Sequence, residues 1–283
     1  MNTNELLLPL AAFGIAFLLR LSRRTRPYLW ILNLFAVLIH ELCHGLAALL
    51  TGGKFERFHM ESHGGVAYTR GGQRAIIIPA GYVGTAIFGA ILLYVTNVVE
   101  QPGWVAVGLG IGFLILTILF SGMSIRKLNI IELVVIVVGG VGVVALFLAA
   151  RENDGLRWAV TVGAGLLILL FVRFISDEYF FTVAIGALTS GVLLLLGFYS
   201  YEGQPEIARF VLNFLAFMVG LNAIFDSWYL FQLISDPSLS QHGNDATNMS
   251  KVVPLPAQLW ATIWALNSVV MLGIAVGLVV ARR

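Results

Sequence analysis

Charge is what this chain has least of. Asp, Glu, Lys and Arg make up only 11% of its 283 residues, against 59% hydrophobic, and the mean hydropathy is +0.90. A water-soluble domain needs roughly 25% charged residues to cover its surface, so a chain this poor in charge cannot face water on all sides. Its net charge of +2 is too small for a basic binding stripe, and no nucleic-acid partner is expected. A single cysteine, Cys43, excludes an intrachain disulfide; it reads as a small buried hydrophobe. The sequence also lacks internal repeats, low-complexity tracts and any polar stretch long enough to hold a soluble domain.

Apolar runs of membrane length are plentiful. The sequence suits about nine helices of roughly 20 residues, near 5–22, 28–51, 75–98, 103–122, 128–150, 156–175, 178–199, 206–235 and 257–281. The expected fold is an all-α polytopic membrane protein, residues 1–283 forming a single transmembrane domain in a lipid bilayer. The first run follows Glu5 and ends in arginines, the reverse of a cleaved signal peptide, and reads as a retained span. Orientation does not follow from charge, because the 17 Lys and Arg residues divide nine against eight between the two faces.

Two connections exceed what a turn needs. Segment 52–74 alternates polar and apolar residues between Gly-Gly pairs, which predicts a short β-hairpin after the second span. Segment 235–256 is rich in Asp, Ser, Asn and Pro and reads as a polar loop. Connections of this length in a compact bundle more often carry function than not.

The chemistry is concentrated in His40-Glu41-Leu42-Cys43-His44, inside the span 28–51. Residues four apart on a helix share a face, so both imidazoles can reach one zinc ion with Glu41 beside it as general base. Such a site needs a third protein ligand and leaves a fourth position for water. With only five histidines in the chain, a chance match is on the order of a few in a thousand. The bland alternative, polar groups near a helix end, does not account for the spacing, and ionisable groups inside a span are functional by default. His59 and His63, in the hairpin segment, read as surface or interface residues.

This motif, with Thr51-Gly52-Gly53 after it, then the Gly-rich hairpin and Pro79-Ala80-Gly81-Tyr82-Val83-Gly84, resembles the site-2 protease family of intramembrane zinc metalloproteases. The likeness is to its compact branch without a PDZ domain and covers about residues 30–95 and 210–275. It implies one Zn2+ per chain, a transmembrane protein or peptide as substrate, and a multi-pass location, expected in the cytoplasmic membrane of a bacterium. It implies His40 and His44 as ligands and Glu41 as catalytic residue, with the third ligand an aspartate on a distant helix. Asn222-Ala223-Ile224-Phe225-Asp226-Ser227 matches that segment, with Ser227 where the family has glycine, so 206–235 is the expected third-ligand helix. Asp245, in Gly243-Asn244-Asp245-Ala246, resembles an Asp-Ala pair of the same branch and is the competing ligand.

Read from the residues alone, Asp226 is an acid in an apolar stretch that needs a cationic partner, either zinc or a polar contact between helices. Asp245 is by default a solvated or capping acid. Gly64 and Gly65 are candidate substrate contacts, since in the family the extended segment after the catalytic helix pairs with an unwound substrate. Asn222 is a candidate contact for the polarised carbonyl. Pro79-Ala80-Gly81 is expected to open or kink the third span. The small residues Gly81, Gly84, Gly89 and Ala90 are expected to permit close helix packing. Outside proteolysis, the same polar cluster would suit an ion site in a transporter or channel, or a catalytically inactive relative that binds without cutting.

Overall fold

The computed structural model describes residues 4–21, 29–62, 64–122, 178–235 and 244–282. The expected spans 128–150 and 156–175, and His63, lie outside these residues. The described chain comprises α1 (Asn4–Leu21), α2 (Trp30–Leu50), β1 (Lys54–Glu61), β2 (Gly64–Arg70), α3 (Arg74–Val98) and α4 (Pro102–Phe120). From residue 178 onward come α5 (Glu178–Tyr201), α6 (Pro205–Ser235), α7 (Asp245–Val252) and α8 (Ala257–Ala281). Six of these helices, α2 to α6 and α8, are long and apolar enough to cross a membrane, at 19 to 31 residues each. The apolar part of α1, Leu7–Leu21, is shorter. Nine spans are therefore not seen among the described residues, where the count is six.

α2 is the buried centre. Leu34, Leu38, Ile39, Leu42 and Ala48 are almost fully enclosed, and even Glu41 and His44 are buried. α3 packs between α2, α6 and α8. It does so at close range because Gly89 faces the Ala216 carbonyl and Gly220 N–H of α6, each 3.0 Å from where a Cβ would sit. α3 runs as one helix through Pro79, its sixth residue, whose missing N–H leaves one carbonyl of the first turn without its helical donor. α4 and α5 form a second close pair in which Gly103 and Gly110 meet Ser200 and Leu194. The 31-residue α6 spans about 46 Å at 1.5 Å per residue, longer than a bilayer core.

The hairpin does not project from the bundle. It runs back along α2, antiparallel to it. Phe55 lies against Gly45, Gly65 against Glu41 and Val37, and the Trp30 indole donates to the Ser62 carbonyl at 2.7 Å. A register shift between Phe55 and Arg57 puts Phe55, Phe58 and Met60 on one buried face, which strict alternation would not allow. On the other side, the Met60 N–H donates to the Thr182 hydroxyl of α5 at 2.8 Å. Segment 235–256 departs from the expected loop. Its second half is α7, started by a capping box in which the Asn244 side chain accepts from the Thr247 N–H. Ala246 and Met249 bury α7 against a cluster containing Ile78, Leu230, Ala261 and Trp264.

Gly45 makes the seating of the hairpin testable, because a Cβ there would enter the Phe55 ring. Gly45→Val is expected to loosen the hairpin from α2 and to speed limited trypsin cleavage after Lys54, Arg57 or Arg70 in detergent. Unchanged digestion would show that the hairpin is held without this contact.

Candidate metal centre

His40 stands at the midpoint of the 21-residue α2, ten residues from either end, and His44 one turn later. Their Nε2 atoms are 3.1 Å apart. The His44 Nδ1 lies 2.7 Å from the Ile77 carbonyl of α3. Donating there fixes the tautomer that leaves the Nε2 lone pair for a ligand, the usual outer-sphere arrangement of metal-bound histidine. Gly81 completes the pocket floor, since a Cβ at this position would press on both Nε2 atoms.

The third group at the pair is Asp245. Its Oδ2 lies 3.6 Å from the His40 Nε2 and 3.5 Å from that of His44, and the three donor atoms fall within 4.8 Å of one another. Of the two candidate aspartates it is Asp245 that stands beside the histidines, and Asp226 of the helix 206–235 that does not. The physical reason is α7. The capped, amphipathic turn folds back against α3 and α8 and carries its first residue to the histidines, which a loop left at the surface could not do. Burial pushes the Asp245 carboxyl up, but hydrogen bonds and charge from His40 and His44 outweigh it and hold the group well below the usual carboxylate range.

Asp226 has other partners. Its carboxylate is 3.8 Å from the Arg20 guanidinium of α1 and accepts from the Asn222 amide, while the Asn222 oxygen accepts from Arg20. Arg20 also donates to the Asn33 side chain at 2.8 Å and lies 5.5 Å from the centre of the Phe225 ring. Asp226 thus takes the cationic partner its apolar setting demands, and that partner is an arginine. Asn222 is engaged in this network at both ends of its amide.

Glu41 is buried one residue after His40, and its carboxylate accepts from the Ala67 backbone N–H of β2. That N–H points out of the hairpin ladder towards α2. Gly65 allows the approach, since a Cβ there would come within 2.8 Å of the Glu41 Cγ. Gly64 has open space where its side chain would be. His59 is buried elsewhere, beside Glu61, Tyr68 and Tyr179. Cys43 is not part of the cluster; it packs on α3 one turn beyond Gly81, its sulfur 2.7 Å from the Cβ position of Gly84. Arg20 and Ile77 carry no sequence signal for their roles here, and Tyr82 carries only its place in the matched segment Pro79–Gly84; the fold supplies the rest. Tyr82 meets the His40 ring edge-on, with centroids 4.7 Å apart.

The donor set suits a tetrahedral metal ion. Ligand atoms about 2.0–2.1 Å from one ion lie roughly 3.3 Å apart, and the separations here are 3.1, 3.5 and 3.6 Å. Two imidazole nitrogens and one carboxylate oxygen match zinc better than magnesium or calcium, which prefer all-oxygen sites.

Fold and site together define an integral, multi-pass membrane protein with three residues between its helices that could hold a metal ion. The chain belongs to the Peptidase M50B-like family, whose family model matches residues 10–165 and 142–275 and so spans every residue of this site. No curated protein and no solved structure matches the chain significantly.

Gly81→Ala is expected to weaken zinc binding roughly tenfold or more by displacing both imidazoles, read by competition with a chromophoric chelator. Wild-type affinity in this variant would remove Gly81 from the floor of the site.

Proposed function

We propose that the chain is a membrane-embedded zinc metalloendopeptidase that cuts a peptide bond within or near a transmembrane segment of another protein. The observation that carries this reading is the convergence of His40, His44 and Asp245 on one point, with Glu41 buried beside it. His40, His44 and Asp245 would hold the ion, one per chain. A bound zinc ion supplies Lewis acidity and a water acidic enough to ionise near neutral pH.

The chain's own residues do the rest. Glu41 takes the proton of the attacking water and returns it to the leaving amine, and the Ala67 N–H aims its carboxylate. Outer-sphere orientation by Ile77 keeps the His44 Nε2 free of a proton. The β2 strand presents the substrate. Among the described residues it pairs only with β1 and otherwise contacts α2, and the side chains of Val66 and Tyr68 are more than a third exposed. Unpaired backbone at membrane depth is tolerated only against protein or water. An unwound substrate strand beside Gly64, Gly65 and Val66 would meet that demand and expose its carbonyls to the site.

Three variants test the reading in one experiment, using purified protein in detergent and a reporter with a single apolar transmembrane helix. Glu41→Gln is expected to keep stoichiometric zinc and lose cleavage by at least about a hundredfold. Asp245→Ala is expected to lose both zinc and cleavage. Asp226→Ala is expected to keep zinc, with a lower thermal midpoint because the Arg20 network loses its carboxylate from α6. Zinc loss in Asp226→Ala with retention in Asp245→Ala would reverse the ligand assignment. Cleavage by Glu41→Gln at the wild-type rate would contradict the role of the base.

A further inference from the structure

Tyr82 is the residue at the site that the mechanism above leaves unused. It follows Gly81 on α3 and is held on two sides. Its ring is perpendicular to that of His40, at 89°, and it stacks flat on Trp264 of α8, with centroids 4.9 Å apart and planes 15° from parallel. Trp264 is almost fully buried, so the stack is anchored in the core that also seats Ala246 and Met249, downstream of Asp245. A ring clamped this way cannot swing, and its hydroxyl has a fixed position.

That hydroxyl lies close enough to the carboxylates of Asp245, Asp226 and Glu41 for each to act on it electrostatically. Yet it forms no hydrogen bond with any described residue. An interior tyrosine ordinarily gives its O–H a partner, and a phenol in an apolar bundle without one is a donor held for something that binds. The floor below it is closed by Gly81, while His40 and Asp245 keep 21% and 30% of their side-chain surface open. A bound group can therefore reach His40, against which the phenol ring packs.

We propose that Tyr82 is a further catalytic residue, donating a hydrogen bond from its hydroxyl to the carbonyl oxygen of the scissile amide as that oxygen gains negative charge. The proposal rests on the peptidase reading. The step balances without further reagents. Water oxygen bonds to the carbonyl carbon, the carbon–nitrogen bond breaks, Glu41 carries the proton from the water to the amine, and Tyr82 keeps its own proton throughout. A preorganised donor of this kind in a site shielded from water contributes roughly a hundredfold to a thousandfold in kcat.

Tyr82→Phe keeps the ring, the Trp264 stack and the His40 contact, and removes only the hydroxyl. The test compares it with wild type in zinc content, in kcat and KM on the transmembrane reporter, and in calorimetric binding of two probes. One probe is an apolar phosphinic pseudopeptide, whose tetrahedral phosphorus places an anionic oxygen where the carbonyl oxygen develops charge. The other is acetohydroxamate, which has no such tetrahedral centre. The expected result is full zinc, kcat lowered about a hundredfold with KM little changed, phosphinate affinity lowered tenfold or more, and acetohydroxamate affinity unchanged. Equal affinity for the phosphinate in both proteins would overturn the assignment. Parallel loss of both probes would also overturn it, showing Tyr82 to be only a wall of the site. A wild-type protein that holds zinc but neither binds the phosphinate nor cleaves the reporter would instead overturn the peptidase reading, and the Tyr82 assignment with it.

Discussion

Polar groups at membrane depth must find partners inside the protein, and the architecture around α2 follows from that constraint. Glu41, His40 and His44 sit midway along a helix of membrane length, where an unpartnered charge costs several kcal/mol. Specific partners meet them. The Ile77 carbonyl accepts from the His44 Nδ1, Ala67 supplies an N–H to Glu41, and Asp245 closes on both imidazoles. The hairpin, itself irregular backbone at that depth, is tolerable because Gly45, Val37 and Glu41 pack one side and Thr182 pins the other.

The same constraint explains why two aspartates near the histidines have different fates. Asp226 lies on a transmembrane helix and is compensated by Arg20, which arrives from α1 together with Asn33 and Asn222. Removing one member of such a network costs more than the network contributes, since it strands the other charge. Asp245 arrives on a short helix from outside the span, with Asn244 capping its start and an acid in the first turn favoured by the helix dipole. Among the described residues its ion-pair partners are two imidazoles that can be neutral. A carboxylate so placed is matched to a cation shared with those histidines.

Much of this was legible in the residues. Spacing of four put His40 and His44 on one face, alternation between glycine pairs marked the hairpin, and apolar length marked α2, α3, α4, α5, α6 and α8. The hairpin's seat along α2 was not legible, because it depends on a bulge at Phe55–Arg57 and on the absence of a side chain at Gly45 and Gly65. The choice between the aspartates was left open by the sequence for a physical reason. Hydropathy assigns depth by local sequence, and the segment around Asp245 is polar, yet a capped amphipathic turn can bury one face and bring its first residue inward. Arg20 was equally hidden, since an arginine ending an apolar run reads as a headgroup anchor and here turns into the bundle.

The proposed zinc ion is held by His40, His44 and Asp245, without Cys43. X-ray absorption at the zinc edge of the purified, zinc-loaded protein addresses it without any assay of function. The account predicts only nitrogen and oxygen neighbours at about 2.0–2.1 Å, with the outer scattering of two imidazoles, and loss of that spectrum in Asp245→Ala. A sulfur neighbour at about 2.3 Å, or a wild-type spectrum in Asp245→Ala, would contradict it.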